Sequence, residues 1–140
     1  MSREIKFRIW HNGIMSFPHE GDCELYFDNV PWSEERFGFL MQFTGLKDKN
    51  GKEVCEGDIL ENIESTKEII AKGFWEADDF ERSVVTWDDE LSRFVLHFHS
   101  KYGGEGYTGR DQHFDLYVKD GCTVIGNIHE NPELLDPSKP

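Results

Sequence analysis

Residues 40–60 read LMQFTGLKDKNGKEVCEGDIL, and the fold follows from how this stretch must bend. It opens on Phe39-Leu40-Met41 and Phe43, an apolar run too short for a typical helix and rich enough in large side chains for a buried strand. Thr44-Gly45 breaks the run. Lys47 to Lys52 is polar and contains Asn50-Gly51, the dipeptide that tolerates positive φ and favours a tight reversal between extended segments. Gly57-Asp58 offers a second permissive turn before Ile59-Leu60 starts another apolar run, and Asp58 reads as a turn acid holding local backbone amides. Three reversals or strand starts in so few residues predict a small, sharply coiled sheet rather than a helical bundle.

Upstream, Ile5 to Trp10 alternates, with Ile5, Phe7 and Ile9 on one face and Lys6, Arg8 and Trp10 on the other, the pattern of a half-buried strand. His11-Asn12-Gly13 turns it into a second strand over Ile14 to Phe17. Glu24 to Phe27 is a short strand candidate, and Asp28 to Gly38 is irregular, with at most one helical turn begun by Pro31 and Ser33. Downstream, Ser65 to Glu68 has the form of a capping box for a helix ending at Gly73, against a rival strand reading of 68–74 favoured by Ile69-Ile70. Arg82 to Trp87 and Arg93 to His99 read as a strand pair joined by an acidic turn at Asp88 to Ser92. Phe114 to Val118 and Cys122 to Ile128 are further strands. Asn131-Pro132-Glu133 starts a last short helix with Asn as cap, and Pro137 stops it.

The chain has 140 residues, 37% of them hydrophobic, enough for one domain with a real core. Its 28 Asp and Glu against 15 Lys and Arg give a formal charge of −13. Such a surface repels phosphates and anionic lipid, so direct binding of nucleic acid or membrane is disfavoured and basic proteins are favoured. Cys23, Cys55 and Cys122 are odd in number and widely spaced, which reads as free thiols in a reducing compartment. The N-terminus lacks a signal-like apolar run, and a cytoplasmic location in a bacterial host is expected.

Three ordered blocks resemble the YopX family, small proteins encoded mostly by phages and prophages: Phe7-Arg8-Ile9-Trp10, the 40–60 stretch itself, and VIGNIHENPEL from Val124 to Leu134. Residues 63–121 match in outline. The resemblance implies a complex β fold and a phage or prophage origin. Together with the turn pattern it gives the expected architecture: one domain over 1–140, mainly β, of short, strongly coiled antiparallel strands in a small barrel or bifurcated sheets, with one or two short helices.

Four arrangements could carry function. His97 and His99, two apart on a strand, point the same way and could hold a divalent ion with His113, His129 or Asp88-Asp89 for a metal-dependent hydrolase. Against that, Phe94, Leu96 and Phe98 would take the core face and leave the histidines in solvent, and no HExxH or nucleophile elbow accompanies them. The acids Glu76, Asp78, Asp79 and Glu81, with Asp88-Asp89-Glu90, could imitate DNA phosphates and occupy a basic host protein, or could simply solvate the surface. Trp32, Trp75, Trp87, Tyr102 and Tyr107 could stack bases, but Glu76 and Asp88 follow two of the tryptophans, which favours core packing or a protein interface. The glycines of 45–57 lack Walker spacing and read as turn chemistry.

The expectation is therefore a non-enzymatic accessory protein, without a cofactor or metal, that acts by protein interaction or self-assembly. Trp32, Trp75, Tyr102, Tyr107, Asp78 and Asp79 are its candidate contact residues. Its expected partners are a second copy of itself, as a homo-oligomer, and a basic host protein; the acidic decoy and the His97/His99 hydrolase are the alternatives.

Overall fold

The computed structural model describes residues 5–21, 33–63, 80–100, 105–108, 118–119 and 121–136. The alternating N-terminal segment forms β1 (Phe7–His11), which pairs with β2 (Ile14–Ser16). Asn12 and Gly13 make the reversal with φ of 53° and 78°, the left-handed values a two-residue hairpin needs. After a 3-10 turn at Pro18–Glu20, α1 (Glu34–Phe37) is the single helical turn expected at Ser33, whose Oγ accepts the Arg36 amide at 3.2 Å.

The opening stretch builds β3 (Phe39–Lys47) and β4 (Glu53–Cys55), which complete a sheet in the order β2-β1-β3-β4. Thr44-Gly45 does not break the strand. The register shifts between Phe43 and Lys47, Gly45 takes a φ of 86°, and the Thr44 hydroxyl donates to the Val54 carbonyl at 2.8 Å while accepting the Leu46 amide at 3.1 Å. The residues that look like a stop are a bulge, with a side-chain oxygen standing in for the ladder. The hairpin tip is anchored as well. Asp48 is buried; its Oδ1 accepts the Asn50 and Lys52 amides at 2.9 Å each, and its Oδ2 accepts the Val124 amide at 2.8 Å.

Beyond the corner at Glu56-Gly57 come β5 (Asp58–Asn62), β6 (Phe80–Asp88), β7 (Arg93–Ser100), β8 (Glu105–Thr108) and β9 (Cys122–Asn127). They form a second antiparallel sheet in the order β8-β7-β6-β5-β9. The β6–β7 hairpin is the expected pair, and its turn is held by Asp88, buried, whose Oδ1 accepts the Glu90 and Leu91 amides. The core lies between the sheets, where Val54 of β4 meets Leu60, Val85, Phe94, Leu96 and Cys122. Burying such side chains is worth about 1.5–3 kcal/mol each, which makes this seam the main adhesive.

Three expectations need correcting. The β7 face carrying Val95 and His97 is not a solvent face: Val95 is 1% exposed and His97 half-buried. Asn131 holds the N-cap position of the final turn at Pro132–Leu135 but not through its side chain; its Oδ1 turns back to accept the Asn127 amide at 3.2 Å, and Arg82 Nη1 holds the turn through the Leu134 carbonyl at 2.6 Å. Val118 packs in the core and lies in no strand. The expected strands over 24–27 and 114–117 and the helix-or-strand segment 65–74 lie outside the described residues. Among the described residues no helix is long and apolar enough to cross a membrane.

Candidate functional site

The alternation of β1 assigns Arg8 to a polar face, yet Arg8 is only 8% exposed. That face is covered by the corner between β4 and β5. Arg8 Nη2 donates to Asp58 Oδ1 at 2.8 Å and to the Glu56 carbonyl at 3.2 Å, while Asp58 Oδ2 accepts the Cys55 amide at 2.7 Å. Asp58 is the expected turn acid and, beyond that, half of a buried ion pair joining the two sheets. Burial raises its carboxyl above the ordinary value, against the pull of Arg8 and the Cys55 amide. Burial also pushes the Cys55 thiol up to about 12, which removes it as a nucleophile near neutral pH.

Gly57 carries the chain across this junction. Its amide donates to the Val85 carbonyl at 2.8 Å and its carbonyl accepts the Ile128 amide at 3.0 Å, so three segments meet on one residue. With φ at 88° and a Cβ that would stand 2.8 Å from Met41 Sδ, glycine is the residue that fits.

Above the junction opens a cleft of about 410 Å³ between β3 and β6. Met41 and Gly57 line it together with Phe39, Leu40, Val84, Trp87 and Ile128, and Glu34, Glu56 and His129 add polar groups. His129 stacks on Trp10, with centroids 5.7 Å apart, and leans on Phe39 at 4.8 Å. On the opposite wall Trp87 meets Phe94 edge to face at 5.0 Å. Burial, then the nearby Arg8 charge, lowers His129 from its usual value and so favours the neutral imidazole. Burial raises the Glu56 carboxyl, which accepts the Gln42 amide at 3.3 Å. The lining is thus an apolar trough with two acidic residues and, among the described residues, no Lys or Arg.

Of the expected contact residues, Trp32, Trp75, Tyr102, Asp78 and Asp79 lie outside the described residues, and Tyr107 falls in β8. Trp87, weighed only with the stacking platform, is the aromatic of that set that lines the cleft. His97 and His99 do face the same way, with rings 4.7 Å apart. His129 belongs to the aromatic stack, His113 is undescribed, and among the described residues no group of three or more His, Cys, Asp or Glu is placed to hold a metal ion. Sequence reading missed Phe39, Glu56 and His129 as one site. The available signal was that the three blocks quoted above each hold one or more of the residues that meet here.

Arg8 and Trp10 come from the first block, Met41, Glu56 and Asp58 from the second, and Ile128 and His129 from the third, and they converge at the junction and its cleft. The chain is similar to the crystal structure of protein EF1440 from Enterococcus faecalis, at 25% identity and a TM-score of 0.50, covering 96% of this chain and all of that one. Among curated proteins, none matches. The family model described as YopX protein matches residues 6–136, and the chain therefore belongs to the YopX family.

Proposed function

We propose that this chain is a non-enzymatic protein-interaction module and that the cleft between β3 and β6 is where it receives its partner. One observation carries the reading. Of the six large hydrophobic residues exposed among the described residues, Phe39, Trp87 and Ile128 line this single cleft. Apolar surface gathered in one concavity marks a recognition site more often than scattered surface hydrophobics do. An accessory role in a phage or prophage fits the family, and the formal charge of −13 fits a basic host protein as partner.

The test is capture from host lysate by the wild type and by Trp87→Ala, with parallel low-salt and high-salt washes. The reading expects a partner that survives high salt and is lost from Trp87→Ala. Capture that collapses with salt and is displaced by added DNA would favour the acidic decoy instead, and recovery of the chain alone would make self-assembly its main contact.

A further inference from the structure

We infer that the group received by the cleft is the cationic side chain of an arginine or lysine carried by a basic protein segment, a conclusion that rests on the interaction reading above and specifies its chemistry. The lining decides this by charge. Glu34, exposed on α1, and Glu56, half-buried beside Gly57, both line the cleft. Arg8 is engaged by Asp58 and the Glu56 carbonyl and is not part of the lining, though its charge reaches Glu56 and His129. An anionic ligand would therefore meet two carboxylates, while a cationic one would meet its complement.

Shape agrees with charge. Arg and Lys carry an apolar stem and a charged tip, and the lining holds partners for both: Met41, Leu40 and Val84 for methylenes, the aromatic Phe39 and Trp87, and the acids Glu34 and Glu56. A volume of about 410 Å³ admits one long side chain together with a flanking apolar residue. A second copy of this chain is disfavoured as occupant, because both molecules carry the same formal charge of −13.

Backbone-amide NMR titrations at low ionic strength test this with three acetylated, amidated tripeptides: leucyl-arginyl-leucine, its citrulline counterpart, which keeps the shape without the charge, and its norleucine counterpart. The arginine peptide is expected to move the Gly57, Ile128 and Trp87 signals and to bind about tenfold tighter than the citrulline peptide, the scale of one charge-assisted hydrogen bond. In Glu56→Gln that preference should fall severalfold while the same signals still respond, and an unchanged preference would overturn the inference. If Glu56→Gln loses its native spectrum, the exposed Glu34→Gln takes its place, and a reduced arginine preference is then expected. Equal binding of the arginine and citrulline peptides would overturn the cation inference and leave the interaction cleft standing. Cleft signals that respond to none of the three would overturn both.

Discussion

Asp58 and Glu56 sit on either side of Gly57, and the two carboxylates have opposite fates. Asp58 is 2% exposed and bonded to a guanidinium and a backbone amide, so its charge is used inside the fold. Glu56 is only half-buried; its carboxylate accepts the Gln42 amide at 3.3 Å, and the residue lines the cleft. Burial raises the carboxyl pKa of both. The two acids differ in burial and in what the fold gives them: Asp58 is bonded to Arg8 and locks the two sheets, while Glu56 is more exposed, feels Arg8 through its charge, and lines the apolar trough.

The comparison breaks most visibly at Asp58. Asp58→Ala strands the Arg8 guanidinium in the interior and is expected to cost about 3–5 kcal/mol, measured by urea denaturation. The double variant Arg8→Met/Asp58→Leu should recover most of that loss, because no uncompensated charge remains. Asp48→Ala comes next, at about 3 kcal/mol, since three backbone amides lose their acceptor and the hairpin tip loses its tie to Val124. Arginine-peptide binding at the cleft should survive it in whatever fraction remains folded.

Gly57→Ala probes the residue between the acids. A φ of 88° and a Cβ 2.8 Å from Met41 Sδ should cost about 1–2 kcal/mol and weaken peptide binding by crowding the floor. Trp87→Ala should cost less, about 1 kcal/mol, because the residue is 44% exposed, yet it should abolish capture of the partner. The smallest effect is expected at Glu56 itself. Its folded pKa is raised, so it favours the folded state while protonated and loses that contribution as pH rises through the folded value. Glu56→Gln should therefore be slightly more stable than wild type at pH 7, with the gain vanishing in acid. His129 has the opposite sign. Its lowered value favours the fold above pH 6.5 and opposes it as pH falls further, so His129→Asn should flatten the loss of stability below pH 6.5.

The structural half of this contrast was the more legible in sequence. Asn12-Gly13, Asn50-Gly51, Ser33 and the β6–β7 hairpin announce themselves through local turn and cap chemistry, and each formed where it was expected. Arg8 did not, because alternation says which residues share a face and not that a carboxylate fifty positions away will make burial of that face tolerable. Thr44-Gly45 looked like a break because the hydroxyl that rescues the ladder acts across the hairpin, on Val54. Asn131 had the residue type and position of a cap, but a closer competitor, the Asn127 amide, takes its oxygen. The cleft has no local signature at all: its lining comes from α1, β3, the Gly57 corner, β6 and the turn after β9.

The most direct test of the central claim is photo-crosslinking in host cells with benzoylphenylalanine placed at one of two exposed positions, Phe39 in the cleft or Ile14 on the edge strand β2. The account predicts a discrete crosslinked partner from position 39, lost when Trp87→Ala is added, and none from position 14. The same partner trapped from Ile14, or capture at Phe39 that ignores Trp87, would place recognition elsewhere on the molecule and contradict the assignment of the cleft.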